Sequence, residues 1–269
     1  MGLLDGKRAL VFGGANDHSI AWAIAKALHE HGAAEVGFSS IEALLERRVR
    51  PLAASIGAEF VEPCDVRVDA DVARVIDAWA TRHPGADGTG AGTLDILVHA
   101  LAFANREDLD GRFVDTSRDG FALAMDVSAY SLVGIVREAR RVLANPSSVM
   151  SLTYYGAEKV VQHYNVMGVA KAALEASTRY LAADLGPEGV RVNAISAGPV
   201  RTLAAAGISG FKHMHRAFRD VAPLRASITS EDVAGVAVWL ASDLSRQVTG
   251  ETVHVDGGFN ILGVSTIEM

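Results

Sequence analysis

Tyr164 and Lys171 stand seven residues apart in the stretch LTYYGAEKVVQHYNVMGVAKAALEAS. At 3.6 residues per turn this spacing predicts two side chains on one helix face, about 10 Å apart along the axis. A tyrosine hydroxyl titrates near ~10, so its anion is scarce at neutral pH. A nearby ammonium would favour that anion and would also offer donors to a sugar hydroxyl. The pair suits a site that stabilises or protonates a developing oxyanion. The same spacing also describes a half-buried aromatic beside a lysine whose stem lies along it. Histidine chemistry is less promising: His213 and His215 are two apart and cannot share a helix face, while His18, His99, His163 and His254 are dispersed. No metal site is expected.

A second group of residues lies near the start of the chain, in GGANDHSIAWAIAKALHEHG. Gly13 and Gly14 form a turn after an apolar run, and a helix is predicted to begin near Ser19. Glycines let a backbone approach a ligand closely, and a helix N-terminus favours a pyrophosphate. The motif is not G-x-G-x-x-G, because Ser19 and Ile20 stand where the last glycine would fall. An ordinary strand–turn–helix with Ser19 as N-cap accounts for it equally well. Cys64-Asp65-Val66 places an acceptor where an adenine amino group could sit, although Asp65 reads equally as a turn residue and Cys64 as a small buried hydrophobe. His99-Ala100-Leu101-Ala102-Phe103 ends another apolar run with small residues that leave room for a flat ligand. The end of the second apolar run reads Ser39-Ser40-Ile41-Glu42, with no Lys or Arg before Arg47. NADP sites place a basic residue there, so NADH is the expected cofactor and NADPH stays open.

The elements that must position these residues follow a βα alternation, the pattern of a parallel sheet. Strands are predicted at 8–12, 35–39, 59–62, 95–99, 148–152, 191–196 and 251–255. Helices are predicted near 19–31, 42–56, 69–82, 118–144, 164–185 and 230–242. The fold class expected is α/β: a single doubly wound Rossmann domain over 1–269, with a seven-stranded parallel sheet and helices on both faces. Residues 200–226, which include the amphipathic piece FKHMHRAFRDV, read as a substrate lid. The glycine-rich 83–93 segment reads as a flexible surface loop.

Composition narrows the function classes. The 269 residues are 49% hydrophobic and 21% charged, with a formal net charge of -7. That balance argues against a nucleic-acid partner, whose phosphates need a basic surface. Cys64 is the only cysteine, which excludes a disulfide framework and fits a reducing compartment such as the cytoplasm. No apolar run approaches the roughly 20 residues of a membrane span, and no membrane partner is expected. The first residues show no apolar signal segment, and Gly6 occupies the place where N-myristoylation wants Ser or Thr.

Taken together, the chain resembles the short-chain dehydrogenase/reductase superfamily and, within it, the bacterial enoyl-acyl-carrier-protein reductases. The usual superfamily pattern puts Tyr four residues before Lys, a slot that here holds Met167. The tyrosine has moved back to Tyr164, giving Y-x6-K, and the usual Ser slot holds Tyr154. SIAWAIAKALHEHGA, CDV, YNVMGVAKAALEAS, LGPEGVRVNAISAGPVRTLAAAGI and GETVHVDGGF carry the likeness along the chain. The resemblance implies NADH-dependent reduction of trans-2-enoyl thioesters in fatty-acid synthesis, with Tyr154, Tyr164 and Lys171 as catalytic residues. It implies a dinucleotide lined by Gly13, Ser19, Ile20, Ile41, Asp65, Val66, Leu101, Lys171 and Val200, Arg201, Thr202, Leu203 and Ala204. Ala104, Tyr154, Tyr164 and Phe211 would face the acyl substrate. A homotetramer is implied, and the substrate would arrive on an acidic acyl carrier protein. Lys212, Arg216, Arg219 and Arg225 could meet that partner, though ordinary solvated charge reads as well.

Three departures from the family pattern are visible. Ala102 replaces a usual glycine, which implies weaker binding of diphenyl-ether inhibitors that stack at the nicotinamide. Ile41 stands where a polar residue is usual, and the 83–93 segment is longer than usual. A specialised or inhibitor-resistant isozyme, or an enoyl reductase of a secondary pathway, would fit the same features. A carbonyl reductase of the superfamily is the main alternative, with Met167 in the tyrosine slot against it. A non-catalytic redox sensor would have lost the Tyr–Lys pair.

Overall fold

Leu10 and Val11 are neighbours in the first strand and both are fully buried, because successive side chains of a strand point to opposite faces. Leu10, Leu97, Val149 and Val192 join one apolar cluster, while Val11, Val98, Met150 and Ile195 join another. A sheet covered on both sides follows directly. The computed structural model of the protein describes residues 2–14, 16–202 and 211–263, with the side chains of 211–214 and 217 outside that description.

Seven strands run β1 Arg8–Gly13, β2 Glu35–Ser40, β3 Val61–Pro63, β4 Leu94–Ala100, β5 Leu143–Thr153, β6 Val190–Ala197 and β7 Thr252–Val255. All pairings are parallel, in the order β3-β2-β1-β4-β5-β6-β7. The order reverses between β1 and β4, which is where open α/β sheets form their ligand crevice. Register aligns the carboxyl ends there: Gly13 faces Ala100, His99 faces Ser151, and Thr153 faces Ser196.

The helices are α1 Ile20–Glu30, α2 (42–55), α3 Asp69–Arg82, α4 Arg118–Ala139, α5 Asn165–Leu185, α6 Phe211–Val221 and α7 Ser230–Ala241. α2 and α4 each carry one π-type turn, at Leu45–Val49 and Asp126–Tyr130. α1, α2 and α7 cover one face of the sheet, and α3, α4 and α5 cover the other. On the second face Trp79 is fully buried, edge-on to Phe60 at 5.1 Å. Burying one such side chain contributes roughly 1.5–3 kcal/mol.

Several expectations need correction. The helix expected over 118–144 ends at Ala139, and β5 begins at Leu143 rather than Ser148. The segment RVLAN is apolar enough for either state, and its pairing across β4 decides: Leu94 faces Leu143 before the register shifts ahead of Ile96. β3 lies at Val61–Pro63 rather than 59–62. α4 has the length and apolarity of a membrane span, contrary to the expectation, but half of its most apolar window is buried inside the fold. The 83–93 segment closes on itself: Thr89 N and Oγ1 donate to Asp87, Gly90 N donates to Pro84 O, and Thr93 Oγ1 donates to Gly90 O. Asp, Thr and Gly form such turns readily, and the segment is an exposed loop with internal hydrogen bonds.

Candidate active site

The glycine turn is a cradle. Gly13 adopts φ 121 and packs its Cα against the Ala100 carbonyl, where a Cβ would clash, while nothing lies within 4 Å of the position a Cβ would take on Gly14. Ser19 is the N-cap of α1: its Oγ accepts from Trp22 N at 3.3 Å and donates to Asn16 O at 2.7 Å. Ile20 is the first helical residue. The cap and the open space over Gly14 therefore coexist.

At the end of β2, Ser39 and Ser40 are buried, and Ile41 is 46% exposed as the N-cap of α2. Cys64 is buried, and that burial pushes its thiol up to about 11, so it is an unreactive hydrophobe at neutral pH. Val66 and Leu101 are half-buried against the α3–α5 side of the core. Asp65 is not a bare acceptor. Arg67 grips its carboxylate through Nε at 2.9 Å and Nη2 at 2.5 Å and holds it below the usual carboxylate range. Sequence reading missed Arg67, a basic group the structure brings against Asp65.

β5 and α5 carry the three candidate catalytic residues. Tyr154 follows Thr153, the last residue of β5, and its ring meets that of Tyr164 edge-on, with centroids 4.9 Å apart at 68°. Tyr164 does not lie in the helix it was expected to share with Lys171. α5 begins at Asn165, and the phenol leaves from the turn before it. His163 at φ 61 and Asn165 at φ 39 flank Tyr164 in the left-handed region. Gly156 makes room for both rings: a Cβ there would strike Tyr164 Cδ1, with Cε1 at 2.8 Å and Tyr154 Cδ1 at 3.3 Å. Gly168 admits the Gly156 carbonyl from the helix side, 2.7 Å from where a Cβ would sit.

Lys171 is buried, and its ammonium reaches two carbonyls, Leu152 O at 2.7 Å and Leu101 O at 3.5 Å. Burial lowers it from 10.5 to about 8, against a raising influence from Glu175. Burial, with smaller contributions from Tyr154 and Glu175, pushes Tyr164 well above its ordinary value. Burial also raises Tyr154, to about 12. Both phenols are therefore neutral donors at working pH. Glu175, one turn beyond Lys171, accepts from Thr153 Oγ1 at 2.7 Å. His99 is fully buried with Nε2 2.7 Å from Ser131 Oγ, and burial lowers it to about 3, so it carries no charge near neutrality.

The remaining candidates fall around this centre. Ala104 is half-buried and Ala102 exposed on the segment after β4. Val200 is buried, Arg201 exposed and Thr202 half-buried after β6. Leu203 and Ala204, and the side chains of Phe211 and Lys212, lie outside the described residues. Of the expected lid, α6 is seated by Phe218, which stacks on Phe259 at 4.4 Å. Phe259 in turn meets Tyr155 edge-on at 5.7 Å. This ladder reaches the residue beside Tyr154 and was not found by sequence reading. Met167, in the slot of the usual superfamily tyrosine, is buried in the helix interior. No cluster of metal-ligating side chains occurs among the described residues.

Residues 13–260 match the family model described as enoyl-(acyl carrier protein) reductase. The chain is 48% identical over 267 residues to an NADH-type enoyl-acyl-carrier-protein reductase of Rhizobium meliloti, covering 99% of this chain and 95% of the relative. It is 49% identical over 265 residues to that of Bacillus cereus, covering 98% and 100%. The crystal structure of the Bacillus cereus enzyme with NADP+ and indole naphthyridinone superposes with a TM-score of 0.92, covering 98% of this chain and all of that one. The Aquifex aeolicus enzyme gives a TM-score of 0.91 at 48% identity, covering 98% and 100%.

Proposed function

The chain belongs to the enoyl-acyl-carrier-protein reductases of the short-chain dehydrogenase/reductase superfamily, and from that premise we propose that Tyr164 is the hydroxyl donor through which it works. The protein is an NADH-dependent oxidoreductase of fatty-acid synthesis that saturates the trans-2 double bond of an enoyl thioester. The Gly13–Gly14 cradle and the capped start of α1 fit a dinucleotide, and Asp65, Val66, Leu101 and Val200 are the further residues assigned to line it. When bound, NADH supplies the hydride that adds to the β-carbon.

The observation that carries the assignment is the neutral phenol at the head of α5. As negative charge builds on the thioester carbonyl oxygen, Tyr164 donates its O–H and stabilises the enolate. A positioned donor of this kind contributes about 3 kcal/mol, roughly a hundredfold in rate. Tyr154 holds the Tyr164 ring edge-on, orients the acyl group and supplies or relays the proton taken by the α-carbon. An ammonium has three donors; Lys171 gives two to Leu152 and Leu101, and the third would be free to hold the nicotinamide ribose. Ala104 and Phe211 line the acyl chain's path.

An acyl carrier protein follows from the family's substrate. The exposed Arg216 and Arg219 on α6 offer it a basic landing, although Arg219 also pairs with Asp220 at 2.8 Å. Cytoplasmic location and a homotetramer complete the proposal. Exposed Tyr180 and Val169 on α5, with Phe121 and Tyr130 on α4, form the surface for self-association.

The buried Met167 stands against a ketone reductase, and the two readings separate in one assay. NADH oxidation is expected with crotonyl thioester and not with acetoacetyl thioester. Tyr164→Phe should lower kcat by about a hundredfold with NADH affinity within twofold; wild-type turnover in that variant removes Tyr164 from the mechanism.

A further inference from the structure

Asn165 is the first residue of α5, next to Tyr164, and it holds φ 39. Non-glycine residues adopt this region at a cost, and asparagine tolerates it better than most. Strain of this sort persists only where surrounding contacts impose it. Here the Asn165 amide Nδ2 donates to two main-chain carbonyls of another segment, Leu109 O at 3.0 Å and Gly111 O at 3.3 Å. That segment begins directly after Ala104, and it is itself anchored. Asp108, 5% exposed, accepts from Ser117 N at 3.3 Å and from Asn105 Nδ2 at 3.2 Å. Gly120 lets this carboxylate press against the first turn of α4.

We propose that Asn165 is a positioning residue: its amide fastens the 105–111 segment to the turn that aims Tyr164, so that the acyl seat and the phenol are set as one unit. The glycines at 156 and 168 receive the Tyr164 ring from one side. The Asn165 amide fixes the backbone from the other. The inference rests on Tyr164 being the donor, and the test separates the two claims.

Steady-state kinetics and NADH binding are measured for wild type, Asn165→Gly, Asn165→Asp, Gly111→Ala, the double variant Asn165→Gly/Gly111→Ala, and Tyr164→Phe. Glycine keeps the backbone conformation and deletes the amide. Aspartate tolerates the conformation and turns an acceptor toward two carbonyls. Alanine at 111, where φ is 86 and no atom crowds a Cβ, disturbs the accepting carbonyl from the far side. The expected result is a kcat loss of at least tenfold in Asn165→Gly, a larger loss in Asn165→Asp, and NADH affinity within twofold throughout. The double variant should be no worse than its worse single, because both changes break one contact. Additive losses, kinetics in Asn165→Asp within twofold of wild type, or parallel losses of kcat and NADH affinity would each overturn the proposal. Should Tyr164→Phe retain turnover while Asn165→Asp does not, the donor assignment fails instead.

Discussion

Lys171 titrates at about 8 because its ammonium is buried, with Glu175 acting to hold the proton on. Below that value all three N–H groups can donate; above it the amine is neutral and its grip on a ribose weakens. NADH affinity is therefore expected to fall as pH rises through about 8, in a titration that Lys171→Met abolishes. Stability should respond with the opposite sign. Between about 8 and the unfolded value of 10.5 the unfolded chain binds the proton that the native site has lost, so this group's contribution to stability rises with pH. A denaturant midpoint that drops in step with NADH affinity across that window would contradict the assignment. Tyr164, pushed upward, should add no ionisation in the same range.

The turn between β5 and α5 decides where the phenol points. Gly156 has an ordinary backbone, so alanine is allowed by conformation and opposed by the Tyr164 ring and, less closely, by Tyr154 Cδ1. Overpacking of this kind costs about 1–3 kcal/mol. Gly156→Ala is expected to remain folded, with a lower melting temperature and a kcat reduced more than tenfold as the ring is displaced. Unchanged turnover would show that the ring's seat is not set by this glycine. Sequence periodicity found both elements and the seven-residue spacing. It did not find that Tyr164 sits outside the helix, because 164–185 is continuous in pattern and the break arises from the left-handed conformations at His163 and Asn165. Gly156 and Gly168 were visible beside Tyr164, yet only their contacts give them a role.

Across the whole molecule, α4 and α5 lie side by side and keep aromatic residues outward, Tyr180 at 77% exposure most of all. A helix buried on its sheet-facing side that also exposes large side chains is prepared for a further partner. Tyr180→Glu is expected to shift the proposed tetramer to smaller species in light scattering at micromolar concentration, with the monomer fold intact by circular dichroism. An unchanged mass would move the association surface elsewhere.

The alternation of apolar runs with helical patterns was enough to determine a doubly wound parallel sheet, since each strand must be covered on both faces. Tyr154, Tyr164, Met167 and Lys171 carried the resemblance to this branch rather than to the ketone reductases, since their order along the chain is legible without the fold. The electrostatic state of the site was decided only by tertiary structure. Depth of burial, and the carbonyls of Leu101 and Leu152 that hold the ammonium, come from segments 70 and 19 residues away. Desolvation by such distant segments keeps the phenol neutral and lowers the lysine, and no local pattern encodes it.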